Sequence, residues 1–370
     1  MLRTKNRIHL VRNGMLAIAL LSVCGMPASS EEVASKPKVR GAILAANDVT
    51  DGRLQELGEE GFNSVVLLVE GNAEEQVSAR QGAAKRINSS SLGLCYWIEV
   101  ARCPELADAH PAWMASLQTH DEWRRLYPDA PKPTADQVMK TYPWVPILSR
   151  EPFTAQLNRI EKLLAEMPPP AAVYLNDLQG APSACGCGNT LCRWTSDYGK
   201  RRTTVPLGDD AATLFVEAVK KVVPNSEVIP VWTTECEKHD GATDGQCAGV
   251  GCYDGICWKA YVKQLAPLAQ ANKHIGALAP YRAFKRDLPI YGEPCGWIRF
   301  VVESFAEMPK RHGADGIDAS RLTLVLQGWD VGADDVAKQI SVATESGVSG
   351  YVVAFTEIQQ DWKPKLIHWR

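Results

Sequence analysis

The chain has 370 residues, 45% of them hydrophobic and 22% charged, with a formal charge of -3 at pH 7. So much apolar residue excludes a disordered chain, and the acidic balance argues against nucleic acid or an anionic lipid surface as the main partner.

Residues 1–30 hold Arg3, Lys5, Arg7 and Arg12, then the apolar run MLAIALLSV, then Ala28, Ser29 and Ser30. This predicts a signal peptide, because the apolar core falls well short of the roughly 20 residues that a bilayer span needs. Cys24 follows Leu21, Ser22 and Val23. Valine fits a lipoprotein cleavage box poorly there, so plain export is expected over anchoring at Cys24. The leader holds four of the 40 basic residues and none of the 43 acidic ones, so its loss takes the formal charge to -7. No later stretch is long and apolar enough for a membrane span. The expected product is secreted or periplasmic, with one domain over residues 31–370.

The elements follow in a regular alternation. GAILAAND (41–48) reads as a strand, and Leu54 and Leu57 make a short helical stripe that Gly61 closes. SVVLLVEG (64–71) and SLGLCYWIEVAR (91–102) are the second and third strands, the latter leaving Glu99 and Arg102 near its exit. Residues 103–153 then break the rhythm with prolines and aromatics, and are expected to be a loop insertion that walls one end of the fold. The helix at 154–167 aligns Leu157, Ile160, Leu164 and Met167, and the three prolines at 168–170 end it.

The fourth strand, residues 172–177, ends on Asn176 and Asp177. Asp209 and Asp210 are placed to cap the next helix, which aligns Phe215, Val219 and Val222. The fifth strand, EVIPVWTTECE (227–237), has Glu235 at its exit. A helix near 257–271 leads to the sixth strand, HIGALAPYR (274–282), which carries Tyr281 and Arg282. A helical face of Ile298, Val301, Phe305 and Met308 precedes the seventh strand, RLTLVLQGWD (321–330). After a helix opened by Asp334 and Asp335, the eighth strand, GYVVAFTE (350–357), ends on Glu357.

Eight strands alternating with helices, most of them apolar on both faces, predict an α/β (β/α)8 TIM barrel. An open doubly wound sheet is the competitor, but no glycine-rich dinucleotide fingerprint follows the first strand.

In such a barrel the site lies where the strands exit. The acids there are Asp48, Glu70, Glu99, Asp177, Glu235, Asp330 and Glu357. Trp97, Trp232 and Trp329 stand near three of those exits, and Trp113 and Trp194 lie in the adjoining loops. Carboxyls supply acid and base while indole faces pack on sugar rings, so a carbohydrate is the expected ligand. Asp177 and Glu235 leave adjacent strands and are the expected catalytic pair, with Asp330 and Glu357 as further candidates. Trp97, Glu99, Arg102, Trp113, Asn176, Trp194, Trp232, Tyr281, Arg282 and Trp329 are the expected substrate contacts.

An Asp on the fourth strand, a Glu on the fifth and an Asp on the seventh resemble the alpha-amylase clan in position, though not in the surrounding sequence. More broadly, the chain resembles exported bacterial barrels of the glycoside hydrolase type, an impression to which the insertion HPAWMASLQTHDEW contributes. That resemblance implies a secreted enzyme acting on O-glycosyl bonds. A barrel that binds carbohydrate without cleaving it is the alternative.

Cys185, Cys187, Cys192, Cys236, Cys247, Cys252 and Cys257 fall in two loops, after the fourth and fifth strands. In an exported chain they are expected to form disulfides that brace the rim. A cysteine-based metal protein is a second alternative, but the spacings are not those of common zinc pairs, so no metal site is expected. No cofactor is expected either: H-E-x-x-H, phosphate-loop and G-x-S-x-G patterns are absent from the sequence.

Overall fold

A computed structural model describes residues 37–71, 74–115, 127–178, 207, 210–233, 258–281, 283–289, 291–358 and 363–368. In chain order these form β1 (Val39–Leu44), α1 (Asp51–Glu59), β2 (Ser64–Val69), α2 (Glu74–Asn88), β3 (Gly93–Glu99), α3 (Pro104–Ala109), β4 (Gln137–Tyr142), α4 (Arg150–Ala165) and β5 (Ala172–Asn176). There follow α5 (Ala211–Val222), β6 (Glu227–Thr233), α6 (Trp258–Ala271), β7 (Ile275–Leu278), α7 (Phe284–Asp287), α8 (Gly296–Arg311), β8 (Leu322–Gln327), α9 (Ala333–Glu345), β9 (Gly350–Ala354) and β10 (Lys363–His368).

The expected barrel is present. β1, β2, β3, β5, β6, β7, β8 and β9 close into a ring in that order, and neighbours pair in parallel throughout, from β1 on β2 to β9 back on β1. The reason is legible in β2, whose sequence SVVLLV is buried at all six positions. A strand with no polar face needs cover on both sides, which helices outside a barrel and side chains inside it provide.

Alternation along each strand sorts the core into two layers. Ile43, Val66, Cys95, Trp97, Tyr174, Ile229, Val231, Leu278, Val325 and Val352 belong to one cluster that contains no helix residue, so it fills the barrel interior. Their strand neighbours, such as Ala42, Val65, Tyr96, Val173 and Leu324, join the helices in the outer cluster. There α4 buries Ile160, Leu163 and Leu164, and α8 buries Ile298, Val301, Phe305 and Met308. Each such apolar side chain contributes roughly 1.5–3 kcal/mol by leaving water. Gly276 allows β6 and β7 to close, since a Cβ there would stand 2.7 Å from Val231 Cγ2. Asp210 occupies the N-cap position of α5, but its side chain makes no capping hydrogen bond.

The insertion departs from the expected loop. It contains α3 and β4, and β4 pairs antiparallel with the C-terminal β10 from Lys363 opposite Tyr142 to His368 opposite Gln137. Lys363 and Lys365 lie over the Tyr142 ring at 5.3 and 4.4 Å, and Lys365 pairs with Asp108 at 2.9 Å. The strand is only six residues long and its partner is far off in sequence, so local periodicity does not reveal it.

Candidate active site

Three consecutive strands deliver one row of polar groups to the carboxyl end of the barrel. β2 and β3 pair with Val69 opposite Ile98, so Glu70 and Glu99 follow as neighbours. β3 and β5 pair with Glu99 opposite Asn176. Glu99 shares the inward side of β3 with Trp97, because strand side chains alternate. The indole Nε1 of Trp97 donates to Glu99 Oε1 at 2.6 Å. Asn176 Nδ2 donates to both Glu99 oxygens, at 3.2 and 2.9 Å. Trp97 itself stacks on Tyr174 with centroids 6.2 Å apart, which fixes the indole from below.

Asp177 comes next on the chain, with no exposed surface and a left-handed backbone at φ 62°. L-residues other than glycine seldom hold that conformation, though Asp is among those that do. Its carboxyl is hydrogen bonded to that of Glu99, and its pKa lies well above the usual carboxylate range. Burial is the largest cause, the Glu99 charge and hydrogen bond come next, and the Arg102 guanidinium opposes them. Two carboxyls in contact cannot both ionise cheaply. Glu99 already accepts from Trp97 and Asn176, which favours the neutral form at Asp177.

The surroundings hold the pair in place. Arg159 of α4 reaches in to donate through Nη2 to the Glu99 and Val100 carbonyls, at 2.7 and 3.2 Å. Its own Nε donates to Gln156 Oε1 at 2.9 Å. On the open side, Arg102 Nη1 stands 3.7 Å from Glu70 Oε1, and both side chains are partly exposed. Glu70 is pushed above its ordinary pKa by burial, against the pull of Arg102 and with a push from Glu99.

The expected site residues separate into groups. Glu99, Asn176, Asp177, Trp97 and Arg102 come together as described. Trp329 packs with the barrel interior, and its carbonyl accepts from Gln327 Nε2 at 3.3 Å. Asp330 and Glu357 are exposed at the exits of β8 and β9. Trp232 is fully buried in the outer cluster, so it fills the barrel–helix layer and not the mouth. Tyr281 is buried in the same cluster, with its N–H donating to Gln327 Oε1 at 3.0 Å. Trp113 stacks on His110 within the insertion, at 3.8 Å.

Glu235, Trp194, Arg282 and the seven loop cysteines Cys185, Cys187, Cys192, Cys236, Cys247, Cys252 and Cys257 lie outside the described residues. Cys95, Cys103 and Cys295 are buried free thiols, and burial raises Cys95 to about 11. Among the described residues, no cluster of His, Cys, Asp and Glu has a metal-holding arrangement, and no helix is long and apolar enough to cross a membrane.

Sequence reasoning names Glu70 only as one exit acid among seven, and does not find Arg159. The signal for Glu70 is its place beside Glu99 in the strand order. Arg159 leaves none, because a lone arginine on an amphipathic helix usually faces solvent.

No protein-family model matches the chain, and no curated protein matches it in sequence. Among solved structures it is similar to the catalytic domain of a hyperthermophilic chitinase from Pyrococcus furiosus, at 8% identity over 86% of this chain and 83% of that one, with a TM-score of 0.43. It is similar also to a glycoside hydrolase family 5 enzyme from Prevotella bryantii, at 10% identity over 85% of this chain and 88% of that one, TM-score 0.42. A third is GH5_18 from Streptomyces cattleya in complex with GlcNAc, at 10% identity over 86% of this chain and 70% of that one, TM-score 0.41. At such identities and TM-scores the likeness says nothing of this chain's activity.

Proposed function

We infer that the chain is a glycoside hydrolase-type barrel in which Asp177 is the proton donor to a glycosidic oxygen. The observation that carries this reading is a fully buried carboxyl at the carboxyl end of the barrel, in contact with Glu99 and with its pKa raised by burial and by that neighbour. A general acid needs a proton at working pH and a reason to release it in the transition state. Burial, then like-charge repulsion from Glu99, supplies the first, and Arg102 favours the second by stabilising the anion left behind.

Asp177 and Glu99 act as one acidic unit. Carboxyl pairs that flank a glycosidic bond stand about 5–5.5 Å or roughly 6.5–9.5 Å apart, whereas these two are hydrogen bonded to each other. The nucleophile or base therefore comes from another exit, for which Glu235, Asp330 and Glu357 are the candidates. The basic and apolar leader supports export, and the acidic mouth supports a carbohydrate partner over nucleic acid.

The full burial of Asp177 favours a second reading, in which the acid pair only locks the barrel mouth and the chain binds glycan without cleaving it. Initial rates on a glycan that wild type hydrolyses separate the two. Asp177→Asn is expected to lower the rate by on the order of 100-fold or more. An unchanged rate would remove Asp177 as the acid, and glycan binding with no product over long incubation would establish the second reading.

A further inference from the structure

Tyr291 lies on the chain between β7 and α8, as do α7 and the left-handed residues Gly292 and Cys295. It is one of two exposed large hydrophobic residues among those described, at 36%. Its ring stacks on Phe300 with centroids 4.3 Å apart and planes 17° from parallel. Phe300 stacks in turn on Trp297 at 5.5 Å, and Trp297 is fully buried in the outer core. Tyr291 also lies against Trp297, with centroids 5.8 Å apart and planes 32° from parallel, so the three rings form a cluster rooted in the core through Trp297, with Tyr291 as its exposed member. Phe300 covers one face of the Tyr291 ring and Trp297 approaches it from beside Phe300, so the accessible part of the ring is the side turned away from both.

The backbone is bent to present it. Tyr291 holds φ 69°, a conformation that bulky residues rarely adopt and that costs free energy unless something else requires it. Charged groups adjoin the cluster in sequence: Arg299, next to Phe300, donates through Nε at 2.7 Å to Glu293, two residues after Tyr291. An aromatic face with charged donors and acceptors nearby suits a pyranose ring, which offers C–H groups on its face and hydroxyls around its rim.

Loops that follow barrel strands all open on one end of the barrel, so Tyr291 and Asp177 share an end. In the ring order β7 stands two strands beyond β5. Tyr291 sits on the helix layer, about one helix diameter, ~10 Å, outside the strands. A ligand that touches both is longer than one sugar ring.

We propose that Tyr291, seated on Phe300 and Trp297, is a remote platform for a sugar ring of an extended glycan, so that the ligand is an oligo- or polysaccharide and not a free monosaccharide. This rests on the glycoside reading above and adds the substrate's length to it.

The test is electrophoresis of the intact protein through native gels holding xylan, laminarin, glycol chitin or carboxymethyl cellulose, in the Asp177→Asn background so that no polymer is cut. At least one polymer is expected to retard the protein. Tyr291→Ala and Tyr291→Asn should weaken that retention by about tenfold, the scale of one aromatic contact, and Tyr291→Phe should keep it. Asn tolerates the left-handed backbone, so Tyr291→Asn should lower the melting temperature less than Tyr291→Ala while losing polymer as fully. Equal retention with and without Tyr291, or no retention by any of the four polymers, overturns the platform. Retention that depends on Tyr291 beside hydrolysis that does not depend on Asp177 keeps the platform and overturns only the acid assignment.

Discussion

Two strand exits of this barrel carry the same residue in the same backbone conformation and differ in everything else. Asp177 follows β5 at φ 62° and Asp330 lies beyond β8 at φ 57°. Asp177 has no exposed surface, and its proton is held by burial and by Glu99. Asp330 is exposed. Position at a strand exit therefore makes a carboxyl available, but the neighbouring strand decides its chemistry. Beside β5 stands β3, which places Glu99 opposite Asn176. Beside β8 stand β7, with Leu278 opposite Val325, and β9, with Ala354 opposite Gln327.

The largest expected effect is on rate. If the difference between the exits is functional, Asp177→Asn loses on the order of 100-fold or more of the hydrolysis of a responsive glycan, and Asp330→Asn less than about threefold. Comparable losses in the two variants would make Asp330 the missing nucleophile or base and the comparison one between partners. The same assay on Glu357→Gln places the exit of β9 in one class or the other.

Stability against pH sharpens the contrast without any substrate. In the unfolded chain Asp177 ionises near its ordinary value of 3.8, whereas in the fold its pKa is raised. Between those two values the native state holds the extra proton, so stability falls as pH rises and levels off once the folded group has titrated. Urea midpoints measured upward from about pH 4 should show this decline in wild type, and Asp177→Asn should flatten it. Asp330→Asn should leave the slope as it is. A wild-type slope that survives Asp177→Asn would assign the decline to another acid, with Glu70, also raised, the first to substitute.

How much of this was open to sequence reasoning follows from the same physics. The barrel was legible because strands such as β2, buried along its whole length, are written as continuous apolar runs. Asp177 was legible because it ends one of them. The facing of the tryptophans was not: a strand buried on both faces has no polar side to fix its parity, so Trp232 and Val231, adjacent in sequence, could not be assigned to outer layer and interior. The contact of Asn176 with Glu99 spans 77 positions, with the whole insertion between them, and rests on a register that no local pattern encodes. The pairing of Gln137 with His368 spans 231 positions, which is why local sequence gives no strand signal at β4.

The finest test alters the neighbour and leaves Asp177 in place. Glu99→Gln keeps an acceptor oxygen for Trp97 or Asn176 and removes the charge that helps hold the proton on Asp177. The Asp177 pKa should fall, because a like charge in contact with it is removed. An enzyme that needs Asp177 protonated loses activity as pH rises through that value, so the alkaline limb of its pH–rate profile should move to lower pH. The rate well below the limb should change less than the limb position, since the acid itself is retained. Glu357→Gln, made at an exposed exit, should leave the limb where it is. An alkaline limb that ignores Glu99→Gln would leave burial as the cause of the raised pKa, and β3 would then position Asp177 without tuning it.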